Sequence, residues 1–218
     1  MPFDHLQNRR RVLAGLAAGL ALGAAKSPFA AALTATPRQG EGPFYPTSLP
    51  LDRDNDLVRV AGRSGLARGE IVHLFGRVLD EAGRPVRRAR VEIWQCDSLG
   101  QYHHVGQSGE IDPDFQGYGA TVVGADGAYR FRTIKPVPYT GRTPHIHFAI
   151  TGRGIERLTT QMYIAGHPLN ERDFLYRSID DAGARESVSV RFERAPRIGP
   201  DAVAGNFDIV LGRNTLKG

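Results

Sequence analysis

Two histidines one residue apart, His145 and His147, offer the first chemistry in this sequence. In an extended strand residues i and i+2 share a face, so both imidazoles point one way while Ile146 and Phe148 point the other. Two converging imidazoles can hold a metal ion; the same spacing also fits two ordinary core or surface histidines. Just upstream, Pro136-Val137-Pro138-Tyr139-Thr140-Gly141-Arg142-Thr143-Pro144 reads as a rigid loop, because its prolines and glycine exclude regular sheet. That loop brings Tyr139 and Arg142 to the histidine strand, with Tyr139 either bent back toward a metal or packed on the sheet edge. Tyr102 lies in a second turn-rich segment, Trp94 to His104, past the end of another expected strand, where functional groups concentrate. Cys96 is the only cysteine, so neither an internal disulfide nor a Cys-only zinc site is available. Any metal must be held by His, carboxylate or Tyr.

The elements that must position these residues are short strands. The chain has 218 residues, 41% of them hydrophobic, which suffices for one packed domain. Its 26 glycines and 14 prolines follow no repeat and imply frequent turns. Strand patterns run through Ile71–Leu79, Ala89–Gln95, His145–Ile150, Leu158–Ile164, Ser187–Phe192 and Phe207–Leu211. Thr121–Val123 and Tyr129–Arg132, joined through Asp126-Gly127, read as a β-hairpin. Asn170–Tyr176 can hold one short helix. The expected fold is all-β, an antiparallel β-sandwich with long active-site loops over residues 70–218. Residues 33–69 are expected to form an N-terminal arm, with Thr36–Asp56 an ordered loop rich in Pro and Asp.

Residues 1–32 read as an address. Arg9-Arg10-Arg11 precedes an apolar run from Leu13 to Ala25, and Ala30-Ala31-Ala32 offers a cleavage site. The run is too short for the roughly 20 residues that span a bilayer, so no stable membrane span is expected after its removal. The paired Arg9-Arg10 resembles a twin-arginine export signal, which implies a periplasmic or extracellular protein with a preloaded cofactor. The net charge of +5 falls to about +2 without this segment, and the cations are dispersed, so no nucleic-acid partner is expected.

The ordered motifs resemble the intradiol ring-cleavage dioxygenases, non-haem Fe(III) enzymes. The resemblance runs from about Thr36 to Arg172. It includes Glu41-Gly42-Pro43-Phe44-Tyr45-Pro46, Val91-Glu92-Ile93-Trp94-Gln95 with Gly100-x-Tyr102, and Phe115-x-Gly117-x-Gly119. It continues through Tyr129-x-Phe131-Arg132-Thr133-Ile134-Lys135-Pro136, Pro138-Tyr139, Arg142-x-x-His145-Ile146-His147 and Leu158-Thr159-Thr160-Gln161-Met162-Tyr163 to Asn170-Glu171-Arg172. It implies a β-sandwich, iron ligands Tyr102, Tyr139, His145 and His147, an active-site Arg142, and Gln161 near the substrate. Two tyrosinates and two neutral imidazoles suit a hard Fe(III) better than a divalent metal. The implied reaction inserts O2 between the two hydroxylated carbons of a catechol, protocatechuate-like or otherwise substituted, to give a cis,cis-muconate-type diacid. In this reading Tyr139 also helps take up the substrate's protons, and the protein can form a homo-oligomer. Only two residues separate Tyr139 from Arg142, fewer than in protocatechuate enzymes. The absent N-terminal helical region of catechol-type enzymes brings the chain closer to the protocatechuate-type and short secreted branches.

Other residues read more plainly. Cys96 is a small half-buried residue, Trp94 is core, and His103 and His104 are surface groups or neighbours of the ligands. Glu171, Arg172 and Asp173 read as a solvated or loop-pinning cluster. Two competing functions are a non-catalytic secreted β-sandwich that binds a sugar or protein, and a ferrous oxygenase using two His and one carboxylate. The latter needs a carboxylate beside the histidines, and Asp97 is the candidate by segment.

Overall fold

The computed structural model describes residues 32–103 and 109–217. The expected export segment lies outside the described residues apart from Ala32, and so does His104. Among the described residues the strands are β1 (Ile71–Asp80), β2 (Arg90–Trp94), β3 (Tyr118–Val122), β4 (Ala128–Ile134), β5 (His145–Gly152), β6 (Ile155–Ile164), β7 (Ser189–Val190), β8 (Glu193–Arg194), β9 (Val203–Asn206) and β10 (Ile209–Leu211). The helices are α1 (Phe174–Arg177), preceded by a 3-10 turn at Asn170–Arg172, and α2 (Ala182–Ser187).

The strands form two sheets, as an all-β sandwich requires. One has the order β3-β2-β5-β6-β7; in the other, β1 pairs with β4, β9 and β10, and β8 lies outside β9. The long pairings, β1–β4, β2–β3, β2–β5 and β5–β6, are antiparallel. Three short pairings, β1–β9, β1–β10 and β6–β7, are parallel. Period-two alternation explains the layers. Val91 and Ile93 of β2, Ile146, Phe148 and Ile150 of β5, and Leu158 and Met162 of β6 meet Leu74, Val78, Phe131 and Ile209 of the other sheet in one buried core. Phe148 lies edge-on to Phe207 at 4.9 Å between ring centroids.

Two local expectations need correction. The segments flanking Asp126-Gly127 are not a hairpin, because β3 pairs with β2 and β4 pairs with β1 in the other sheet. The turn is real: Gly127 sits at φ 75° and donates to the Gly124 carbonyl. It carries the chain across the core instead of along one sheet. The strand expected over Ser187–Phe192 is shorter, because α2 runs through Ser187 and leaves only Ser189–Val190 paired. Asp181 starts that helix by accepting the Ala184 N–H at 2.7 Å, an N-cap.

The far face of the β3-β2-β5-β6-β7 sheet carries a second apolar cluster. Trp94, Cys96, Tyr102, Tyr118 and Ala149 are buried there beneath Phe44, Tyr45, Val137 and Tyr139. The arm supplies much of this cover. Gln39 N–H donates to the Thr159 carbonyl at 2.9 Å, and the Thr159 hydroxyl donates to the Gln39 carbonyl at 2.6 Å. Tyr45 packs edge-on to Trp94 and donates to Glu92, while Arg157 lies over the Tyr45 ring. β5 is therefore buried on both faces. Its inner face makes core, and its outer face makes the site.

Candidate metal centre and substrate cavity

His145 and His147 share the outer face of β5, as their spacing implies. Register places His147 between Trp94 of β2 and Gln161 of β6, and His145 beside Tyr163. Trp94 stacks flat on His147 at 4.8 Å and 10°. His145 Nδ1 lies 2.6 Å from the Thr143 carbonyl oxygen. A carbonyl only accepts, so that nitrogen carries the proton and Nε2 keeps its lone pair. The two Nε2 atoms face each other at 3.2 Å, close enough for one cation to reach both.

Tyr102 and Tyr139 complete a ring of four. Tyr102 is edge-on to Tyr139 at 5.5 Å and 6.2 Å from His147, while Tyr139 is 5.4 Å from His145. Phe44 of the arm stacks on Tyr102 at 4.4 Å and 7°. The Tyr102 hydroxyl is buried and has no well-formed hydrogen bond. After burial, the charge and hydroxyl of Tyr139 contribute most to its perturbation.

Local sequence explains both tyrosines. Tyr139-Thr140-Gly141-Arg142 is a tight turn in which Arg142 N–H donates to the Tyr139 carbonyl at 2.8 Å. Gly141 has φ 76°, which a type II turn requires at its third position. The short spacing between Tyr139 and Arg142 is therefore a reversal that keeps both beside β5. The Tyr102 segment is organised by Asp97. One oxygen of this fully buried carboxylate accepts the N–H of Leu99 and Gln101, and the other contacts His103 and accepts the N–H of Asp112. That explains why Asp97 holds a loop and is no metal ligand. Among the described residues no group of three His, Cys, Asp or Glu could hold a metal ion. Among the described residues the groups beside the histidine pair are tyrosines, and Asp97, the carboxylate the ferrous reading needs, is engaged in its own loop.

Burial governs the electrostatics of the four rings. Burial pushes Tyr102 well above the ordinary tyrosine pKa, reinforced by Tyr139 and Cys96. Burial also raises Tyr139, with the Arg142 charge pulling the other way. Burial, then Arg142, presses His145 down to about 4, and His147 lies well below its ordinary value through burial, His145 and Arg142. Each of these shifts disfavours the charged form of its ring. A bound cation reverses this for tyrosine by stabilising the phenolate. A buried tyrosine hydroxyl, a second tyrosine beside it and two imidazole Nε2 atoms 3.2 Å apart form a donor set that a hard, highly charged metal fits.

Arg142 and Gln161 join at the same place. Arg142 Nη2 donates to Gln161 Oε1 at 2.6 Å, and Nε donates to Asp173 Oδ2 at 2.7 Å. Gln161 is further held by the arm, whose Gln39 Oε1 accepts its backbone N–H at 3.2 Å. A cavity of about 500 Å³ opens over this group, lined by Tyr139, Arg142, His147, Gln161, Phe44 and Phe174 among others. Gly42 forms part of the wall at φ 75°, where a Cβ would lie 3.5 Å from His147 Cε1.

Sequence reasoning named two of these residues, Trp94 as core and Asp173 in a solvated or loop-pinning cluster, without placing either at the site. Trp94 is buried as expected, yet it packs on His147 in the outer cluster. Asp173 is fully buried and pins the Arg142 loop, whereas Glu171 and Arg172 beside it are exposed. An Asp followed by a short helical pattern is the one local signal, since it marks an N-cap.

The family model described as Dioxygenase matches residues 40–213. The chain belongs to the intradiol ring-cleavage dioxygenase family. The β chain of protocatechuate 3,4-dioxygenase from Burkholderia cepacia is 40% identical over 168 residues, covering 72% of this chain and 71% of that one. Hydroxyquinol 1,2-dioxygenase from Nocardioides simplex is 32% identical over 199 residues, covering 78% of this chain but only 62% of that one. Among solved structures, the dioxygenase domain of a dioxygenase–carbohydrate-binding fusion from the cellulolytic bacterium Streptomyces sp. SirexAA-E matches with TM-score 0.64 and 32% identity. That match covers 82% of this chain and 99% of the other. Catechol 1,2-dioxygenase from Acinetobacter sp. ADP1, solved with bound mercury, matches with TM-score 0.64 and 28% identity over 82% of this chain and 63% of its own. The chain thus spans less than two thirds of the hydroxyquinol and catechol enzymes it matches. Its membership makes it a ring-cleaving oxidoreductase and agrees with the β-sandwich. No helix among the described residues is long and apolar enough to cross a membrane.

Proposed function

We propose that this dioxygenase uses a non-haem Fe(III), held by Tyr102, Tyr139, His145 and His147, to insert O2 between the hydroxylated carbons of a catechol. The product would be a cis,cis-muconate-type diacid, and the twin-arginine-type segment would export the protein to the periplasm or beyond. The observation that carries this reading is the convergence of four rings around the buried Tyr102 hydroxyl and the facing Nε2 atoms. Bound there, Fe(III) would supply Lewis acidity toward the catechol oxygens and the redox coupling that lets the ring react with O2.

The chain's own residues divide the remaining work. Tyr102 is buried under Phe44 and serves as a fixed anchor. Tyr139 lines the cavity, and the Arg142 charge favours its ionised form. It is placed to take a proton from an entering catechol hydroxyl. The Thr143 carbonyl holds the proton of His145 on Nδ1, so Nε2 stays a donor to the metal. Arg142 keeps its charge while buried, because the hydrogen bond and charge of Asp173 outweigh the cost of burial. It offers fixed positive charge where negative charge builds on the ring and oxygens. Phe44, Trp94 and Phe174 exclude water on the apolar sides.

The test is catechol or protocatechuate turnover by the iron-loaded protein, followed by oxygen uptake and NMR of the product. The reading predicts one O2 consumed per ring and a diacid with no aldehyde proton. An aldehyde-bearing product, or no uptake by protein with a full complement of iron, contradicts it.

A further inference from the structure

We infer that Asp173 is a positioning residue for Arg142, and that its single carboxylate ties the guanidinium to the cavity-walling helix and to Thr143, the residue whose carbonyl orients His145. The role of Arg142 in this inference rests on the catechol-cleaving reading above. Asp173 Oδ2 accepts from Arg142 Nε at 2.7 Å and from the Thr143 N–H at 2.9 Å. Oδ1 accepts the N–H groups of Leu175 and Tyr176, each at 3.0 Å, and so caps α1. An ionised carboxylate has about four acceptor sites, and these four donors occupy them. Its side chain has no exposed surface, so the charge persists because Arg142 and these N–H groups satisfy it.

Three of the four bonds, those from Arg142, Thr143 and Leu175, reach something in the site. Thr143 passes the constraint on, because its carbonyl receives the Nδ1 proton of His145 at 2.6 Å. Leu175, held at the helix start, lines the cavity with Phe174, and the Arg142 guanidinium lies 5.6 Å from the Phe174 ring centroid. Gln161 Oε1 takes a second guanidinium nitrogen, Nη2, at 2.6 Å. With Nε on Asp173 and Nη2 on Gln161, both position and plane of the guanidinium are set. A free arginine side chain has several rotatable bonds. Here that freedom is removed before substrate arrives, which is what a charge aimed at a transition state requires.

Asp173→Asn separates charge from shape. The amide keeps one acceptor oxygen but turns donor N–H groups toward either Arg142 and Thr143 or the helix start, so the four donors can no longer all be satisfied. The experiment measures kcat, KM and bound iron for the full-length wild type, D173N, R142A and R142A/D173N. A positioning role predicts that D173N loses about a hundredfold in kcat, keeps KM within about threefold and keeps its iron. It also predicts that D173N costs no more than about twofold when added to R142A, because the two act as one unit. Wild-type kcat in D173N overturns the inference. Losses that multiply in the double variant, or equal loss of iron with and without Arg142, overturn it too, because they mark a merely structural role. If the iron-loaded wild type cleaves no catechol, the proposed function fails and crystal structures decide this inference separately. A guanidinium displaced from Gln161 in D173N upholds it, and one left in place overturns it.

Discussion

Tyr102 shows how a single side chain can be suited to function at the expense of the fold. Its hydroxyl is buried without a well-formed hydrogen bond, and leaving such a group unsatisfied costs about 1–3 kcal/mol. Tyr102→Phe removes that cost. The iron-free variant is therefore expected to be more stable than the iron-free wild type by about 1–2 kcal/mol. Under iron loading the order should reverse, because the wild type alone gains the binding energy of the phenolate ligand. Denaturant melts with and without chelator, beside metal analysis, measure both. A Tyr102→Phe protein that is less stable without iron, or that retains iron as well as the wild type, contradicts this assignment. At this scale the sequence was informative where spacing is local. His145 and His147 share a face because strands alternate, and Tyr139 and Arg142 are brought together by a four-residue turn. Asp173 was harder to weigh, because its partner Arg142 lies 31 residues away and nothing local says that the two meet.

Among the elements, the loop after β2 has a stability that depends on pH. Asp97 organises it, and Tyr102 sits at its end. Burial drives the Asp97 carboxyl upward, but hydrogen bonds from His103 and from the N–H groups of Asp112, Gln101 and Leu99 outweigh burial and hold it below the ordinary carboxylate range. A carboxyl depressed in the fold stabilises fully above the ordinary carboxylate pKa and loses that contribution as pH falls through its folded value. Asp97→Ala is expected to cost about 3 kcal/mol near neutral pH while leaving iron stoichiometry intact in the folded protein. The gap between variant and wild type should then close in acid. Urea melts across that range test this; a gap that stays constant, or loss of iron from folded Asp97→Ala, contradicts it. Strand β5 was legible because its apolar residues alternate with histidines. The crossing between β3 and β4 was not, since an Asp-Gly turn fixes a chain reversal and leaves open which strand each arm pairs with. The arm was legible as ordered, yet its place over Tyr102 and Trp94 depends on long-range contacts of Phe44 and Tyr45.

Over the whole molecule, a sandwich buries one large core between its sheets and a second aromatic cluster on one outer face. The first cluster supplies stability. The second makes a buried aromatic platform on which tyrosines and histidines meet beside an open cavity. The two share β5, so displacing the core side chain Phe148 would be felt one residue away at His147. The central claim is that this outer-face platform holds Fe(III) through two tyrosines and two histidines. The most direct measurement is the visible absorption spectrum of the purified protein, before and after anaerobic addition of catechol. The account predicts a coloured protein with a tyrosinate-to-iron charge-transfer band that shifts when catechol binds. A protein that stays colourless after reconstitution with iron would contradict it.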